Sequence, residues 1–319
     1  MHCVVTGGAG FIGSHLVEKL VTLGHQVTVL DDFNDYYNPE IKHQNLAAVS
    51  QGVELISCDI RNAETVENAF RGKEIDVVFH LAARAGVRPS IADPRLYLDT
   101  NVQGTFNVLE AARQAGVERF IFASSSSVYG LLKEVPFRED AVIQQTISPY
   151  AATKLAAEQL CGNFSHLYGM QMVCLRFFTV YGPRQRPDLA IHSFTRRILE
   201  GEPITQFGDG STRRDYTYID DIIQGVLAAM DYSDKPFDIF NLGESETTQL
   251  SNLIGLLEEA IGRQAEIIEK PEQPGDVPLT CADISKARRL LGYNPTTPIS
   301  LGIPKYVQWH MEHLAATVA

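Results

Sequence analysis

Thr6-Gly7-Gly8-Ala9-Gly10-Phe11-Ile12-Gly13 follows a short β-rich apolar run, residues 2–6, and opens a stretch with Ile12, Leu16, Leu20 and Leu23 at helical spacing. Strand, glycine turn and helix in that order make a phosphate site. Backbone without side chains approaches a pyrophosphate closely, and a helix start offers free N–H groups and the positive end of its dipole. The glycines fit both G-x-G-x-x-G (Gly8, Gly10, Gly13) and G-x-x-G-x-x-G (Gly7, Gly10, Gly13), and the pattern does not choose between them. A second strand, Gln26 to Leu30, ends at Asp31, with Asp32 next. An acid about 20 residues past such glycines hydrogen-bonds an adenosine ribose and repels a 2′-phosphate, so the expected cofactor is NAD rather than NADP.

The rest of the chain extends this unit. Val53 to Ser57 is a third strand that ends in Cys58-Asp59-Ile60, where an acid reaches an adenine amine. Asp76 to Leu81 is a fourth, closing on Ala82-Ala83, small residues that let a cofactor lie close. A loop with Arg88 and a long helix over residues 94–115 follow. The fifth strand, Arg119 to Ala123, opens onto Ser124-Ser125-Ser126-Ser127-Val128-Tyr129-Gly130, at the sheet edge where open α/β folds bind ligands. Met172 to Arg176 is a sixth strand. The alternation predicts a Rossmann-type, doubly wound parallel α/β sheet over residues 1–178. A smaller mixed α/β unit over 179–319 is expected to cap its ligand edge, with a segment near 213–241 able to return to the first.

Ser148-Pro149-Tyr150-Ala151-Ala152-Thr153-Lys154 places a phenol and an ammonium one turn apart on a helix that begins at the proline. A phenol titrates near ~10, and an adjacent cation favours the phenolate a general base needs. On its own the pair reads as an ordinary surface contact. The dinucleotide turn upstream and the serine cluster between them give it a catalytic reading.

Composition narrows the classes. The 319 residues carry a net charge of −12, which argues against a nucleic-acid surface. Five scattered cysteines without a C-x-x-C pair fit a reduced, cytoplasmic protein with no disulfide or zinc site. His310 and His313 read as a solvated helix face rather than metal ligands. No signal peptide is indicated, and no apolar run approaches the ~20 residues of a membrane span.

The glycine turn, the serine run ending in Val128-Tyr129-Gly130, and Tyr150 with Lys154 together resemble the extended short-chain dehydrogenase/reductase family, and within it the nucleotide-sugar epimerases. The resemblance implies Gly7, Gly10, Phe11, Ile12 and Gly13 at the pyrophosphate and Asp31 with Asp32 at the adenosine ribose. It puts Asp59 and Ile60 at the adenine and Leu81, Ala82, Ala83 and Phe177 along the cofactor. Asn101 matches the family's helix asparagine, and Lys154 holds the nicotinamide ribose. Tyr150 becomes the base and Ser125 its hydroxyl partner, with NAD tightly held and regenerated in each turnover. For a UDP-sugar substrate it implies Arg88, Thr205, Phe207 under the uracil, Arg214 on the diphosphate and Asp276 on the uridine ribose. A homodimer through the helices near 94–115 and 150–168 is a further family expectation.

Gln273, where many UDP-glucose epimerases have arginine, fits better with UDP-glucuronate 4-epimerases, as do Arg186-Pro187-Asp188-Leu189-Ala190 and Thr179. Oxidising C4 of UDP-glucuronate gives a β-keto acid that loses CO₂ readily, so the carboxylate must be held out of alignment. Hydroxyls of Ser125, Ser126, Ser127 and Thr179 can do so as neutral donors. Related decarboxylases carry a glutamate at the place of Ser127, and sugar 4,6-dehydratases an Asp-Glu at Ser126-Ser127. Simple epimerisation, UDP-glucuronate to UDP-galacturonate, is the expectation. UDP-glucose or a UDP-N-acetylhexosamine is the alternative substrate, and decarboxylation or non-catalytic NAD binding the more remote ones.

Overall fold

The computed structural model describes residues 1–272 and 275–318. Its main sheet has seven parallel strands: β1 (His2–Thr6), β2 (Gln26–Asp31), β3 (Val53–Ser57), β4 (Val77–His80), β5 (Arg119–Ser125), β6 (Gln171–Phe177) and Phe237–Leu242. In space the first six run 3-2-1-4-5-6, the Rossmann order, and the chain reverses direction across the sheet beside β1. The seventh, inside the segment expected to return, extends the sheet beyond β6 in the register Asn241↔Arg176.

Alternate residues of the central strands enter separate apolar clusters on the two faces. Val4, Val78, Phe120 and Cys174 lie on one, and Val5, Phe79, Ile121 and Leu175 on the other. Burial on both faces explains why these strands read as continuous apolar runs. Each fully buried Val, Leu or Phe contributes about 1.5–3 kcal/mol.

Helix Phe11–Thr22 buries Leu16, Val17 and Leu20, whereas Leu23, expected on its inner side, lies just past its end and is 53% exposed. The helix expected over 94–115 is broken into three. Pro94–Tyr97 leads into a π-helical stretch, Leu98–Gly104, and then Thr105–Gln114. Short strands Thr179–Tyr181 and Tyr216–Tyr218 pair in parallel, and Ile204–Phe207 pairs with Ile267–Lys270. His310 is a correction to the sequence reading. It is buried on helix Ile299–Val318, 4.8 Å from the His192 ring, while His313 is exposed. Among the described residues no helix is long and apolar enough to cross a membrane, and the five cysteines are free. Gln273 lies outside the described residues.

Candidate active site

A single cavity lies along the C-terminal ends of β1, β2, β4 and β5. Its wall includes Gly7, Gly10, Phe11, Ile12 and Gly13 from the first turn, Asp31 and Asp32, Ile60, and Leu81 to Ala83. Ser125, Tyr150, Lys154, Phe177, Thr179 and Arg186 line it as well.

The glycine ambiguity is resolved by what each position touches. Gly7 has φ +68° and a side chain there would stand 2.7 Å from the Ala82 nitrogen. A Cβ on Gly13 would meet the Gly7 carbonyl at 2.1 Å. Gly8 instead packs on the Val29 side chain, away from the cavity lining. The Gly7, Gly10, Gly13 pattern is therefore the one that faces the cavity, at the start of helix Phe11–Thr22, where Gly10 adds no side-chain cap.

Asp31 is buried, accepting from the Ala9 and Phe33 amides at 3.1 and 3.0 Å. A third partner carries charge and has no signal in the sequence: Lys42 Nζ lies 3.3 Å from Asp31 and 3.7 Å from Asp32. Asp59 is not part of the cavity lining. Its carboxylate is forked onto Arg61 at 2.6–3.0 Å, which holds it below the usual carboxylate range. Arg61, two residues on, captures it, so the side-chain reach to an adenine expected of Asp59 is not what the structure shows.

Helix Pro149–Tyr168 begins as the sequence dictates. Ser148 Oγ caps the Ala151 amide at 3.1 Å, Pro149 fills the first turn, and Gly169 ends the helix at φ +72°. Tyr150 faces the cavity. Burial pushes its phenol up, while the nearby Ser125 hydroxyl and then the charge of Arg186 pull it down. The ammonium expected to do that is turned elsewhere. Lys154 Nζ donates to the Ala123 carbonyl at 2.7 Å and sits 4.9 Å over the Phe122 ring. Burial lowers Lys154 to about 8, opposed by Cys161, Glu158 and Cys174. His80, beneath it, is held between Thr6 and Thr105 hydroxyls at 2.6 and 2.9 Å and pushed down to about 3 by burial, then by Lys154.

Asn101 lies outside the cavity lining. From the π-helical stretch it clamps the Arg84 peptide, accepting its N–H at 2.7 Å and donating to its carbonyl at 2.9 Å, and it also donates to Thr153 at 3.1 Å. It joins the β4 loop to the Tyr150 helix rather than facing the cavity. Ser126 and Ser127 sit in a 3₁₀ turn and are half-buried; the Ser127 hydroxyl accepts from the Ser125 hydroxyl at 3.1 Å, and the Ser127 amide donates back to Ser125 Oγ at 3.2 Å. Arg186 forks onto Asp188 at 2.9 and 2.7 Å and lies 5.4 Å from the Tyr36 ring, with Arg84 6.0 Å from the same ring. Tyr36 and Arg84 are cavity residues the sequence reading missed.

The remaining expected substrate residues form a second, outer cluster. Arg88 pairs with Asp276 at 2.8 Å and lies 4.6 Å over the Phe207 ring. Arg214 is close enough to feel both charges, and burial lowers it. Thr205 is half-buried on strand Ile204–Phe207, two residues before that ring. The cluster adjoins the cavity through Gly86, a lining residue one before Val87, which meets Gly275.

The wall's donors and acceptors fit an extended dinucleotide. There are glycine amides at a helix start, an acid at the end of β2, small Ala82 and Ala83 between, and a hydroxyl, a phenol and an ammonium at the far end. Residues 3–243 match the family described as the NAD dependent epimerase/dehydratase family. The chain is 40% identical over 329 residues to UDP-glucuronate 4-epimerase 4 of Arabidopsis thaliana, across 97% of this chain and 75% of that protein. It is similar, at TM-score 0.91 and 38% identity, to the crystal structure of UDP-glucuronic acid 4-epimerase from Bacillus cereus in complex with UDP-glucuronic acid and NAD, covering 98% and 100% of the two chains. At TM-score 0.91 and 35% identity it is similar to UDP-glucose 4-epimerase from Thermotoga maritima with UDP-glucose, again covering 98% and 100%.

Proposed function

The chain belongs to the NAD dependent epimerase/dehydratase family, and we propose that it inverts C4 of UDP-glucuronate to give UDP-galacturonate through a 4-keto sugar. One observation carries the reading: the glycine turn, Asp31 and the Ser125–Tyr150–Lys154 set line one cavity, and Thr179 and Arg186 complete its wall.

Gly7, Gly10, Gly13, Asp31 and Lys154 would hold NAD, which when bound supplies reversible hydride acceptance at the sugar carbon. Tyr150 takes the proton of the 4-hydroxyl and returns it to the keto oxygen once the sugar has turned over. Ser125, the neighbouring hydroxyl that favours the ionised phenol, steadies the oxygen that carries that proton. Arg186 adds positive charge beside the phenol and favours its ionised form. Neither Ser126 nor Ser127 is an acid, and neither is among the residues that line the cavity, where Ser125 is the hydroxyl at the end of β5, so this turn brings no carboxylate of its own to the substrate. The outer cluster supplies a stacking ring in Phe207, a diphosphate ligand in Arg214 and a ribose acceptor in Asp276.

UDP-glucose is the second reading, favoured by the similarity to the Thermotoga maritima protein. Proton NMR of the sugar formed from each nucleotide sugar separates them. The proposal expects galacturonate from UDP-glucuronate and much slower change of UDP-glucose; the reverse order overturns it. The setting proposed is cytoplasmic and dimeric. Exposed Leu98, Phe106, Leu167 and Tyr168 on the helical segments expected to pair support a dimer, which size-exclusion chromatography with light scattering checks.

A further inference from the structure

We infer that the buried pair Glu158–Arg176 is a positioning device for the catalytic set, fixing the helix that carries Tyr150 and Lys154 on the strands that end in Ser125 and Phe177. The inference rests on the reading of Tyr150 as the proton acceptor.

Glu158 lies one turn past Lys154 and two past Tyr150 on the same helix face. Its side chain is 0% exposed and that of Arg176 3%. Arg176 forks onto it, Nε to Oε1 at 2.9 Å and Nη2 to Oε2 at 2.8 Å. The Ser124 hydroxyl donates to Oε1 at 2.5 Å. Ser124 and Arg176 are register partners on β5 and β6, so one carboxylate ties the helix to both strands immediately before Ser125. Arg176 also lies 4.8 Å over the Tyr129 ring, whose hydroxyl donates to Asn241 at 2.7 Å. The tie therefore reaches the turn after the serines and the seventh strand.

Stability alone is a poor reason for such a pair. Removing two charges from water is costly, and apolar residues of similar volume often serve the fold as well or better. Here Arg176 Nη1 is buried with no hydrogen-bond partner, so the pair is not even saturated. What apolar residues could not do is set Ser125 against Tyr150 and present a negative charge to Lys154. The groups facing Lys154 are Glu158 and Cys161 from its own helix, Cys174 from β6 and His80 from β4. Glu158 is the carboxylate among them. Burial lowers Lys154 to about 8, and Cys161 and then Glu158 oppose that fall. Without Glu158 the ammonium loses its proton at lower pH.

The test is the double variant Glu158→Leu/Arg176→Met, which removes the pair without orphaning either charge, with Glu158→Gln beside it. Thermal melting and the pH profiles of kcat and KM for UDP-glucuronate are compared with wild type. The expected result is a native melt, kcat down about tenfold or more, KM within about threefold, and the alkaline limb of kcat moved down by about one pH unit. Native variants with an unchanged limb and unchanged kcat overturn the inference, leaving the pair a packing element. If neither variant folds, the pair is a folding requirement and the inference also falls. Absence of turnover by the wild type would instead defeat the proposed function, so the two failures are distinct.

Discussion

On the floor of the cleft Gly7, Asp31, Ser125, Tyr150 and Lys154 stand at strand ends or on the helices that follow, each fixed by backbone of the main sheet. In the outer cluster Arg88, Phe207, Arg214 and Asp276 come from four separate segments outside the main sheet, and Arg88 meets Phe207 and Asp276 through its side chain. Asp31, Ser125 and Lys154 of the floor are buried, and burial lowers Lys154 to about 8 and His80 beneath it to about 3. The outer pair Arg88–Asp276 is 46% and 35% exposed, where an ion pair contributes only about 0–1 kcal/mol. A rigid, dry floor suits proton movement, and an exposed, exchangeable cluster suits capture and release of a nucleotide.

The sharpest way to break this division is Tyr150→Phe. The ring still fills its place while the proton acceptor is lost, so kcat should fall about 10²–10⁴-fold with KM nearly unchanged. Retention of a tenth of the wild-type rate would remove Tyr150 from the reaction. Arg214→Ala probes the other region. Loss of a charged hydrogen bond costs about 1.5–3 kcal/mol, so KM for the nucleotide sugar should rise about 10–100-fold at similar kcat. A kcat loss as large as the KM rise would show that the outer cluster is not merely a binding element.

How much of each region could be read in advance follows the same division. The glycine turn, Asp31 and the Tyr150–Lys154 spacing were legible because neighbours in sequence set their geometry. Which glycines face the cavity was not, since Gly8 is distinguished by its packing on Val29 of the adjoining strand and Val17 of the following helix. Lys42 was missed because it meets Asp31 after an aromatic loop whose path no periodicity predicts. Asn101 drew its expected role from resemblance, whereas the π-helical stretch around it turns it to the Arg84 peptide. Glu158 and Arg176 carry no local signal. Only the packing of helix on strand reveals them. The outer cluster came from resemblance alone.

Lys42 gives a smaller prediction. Its ammonium neutralises part of the charge of Asp31, the charge that on the proposed reading repels a 2′-phosphate. Lys42→Met should therefore raise the preference for NAD over NADP about three- to tenfold, measured by reconstituting apoprotein with each cofactor. A preference that falls would show that Lys42 serves NAD itself.

The smallest effect concerns pH and the loop that carries Arg186. His310 is lowered from 6.5 to about 4 by burial, then by His192, His313 and Arg196, and His192 holds the Gln185 carbonyl. A lowered base contributes stability that is present above about pH 6.5 and lost as pH falls towards 4. Relative to His310→Phe, the wild type should lose a few degrees of Tm between pH 7 and 4.5. Parallel melting curves over that window would exclude His310 as a source of acid lability.

The central claim is that C4 is oxidised and reduced within one closed site, with Tyr150 handling only the hydroxyl proton. UDP-glucuronate deuterated at C4 tests it directly. The expected product is UDP-galacturonate that keeps its deuterium at C4 in ordinary water. Loss of the label to solvent in step with turnover would contradict it.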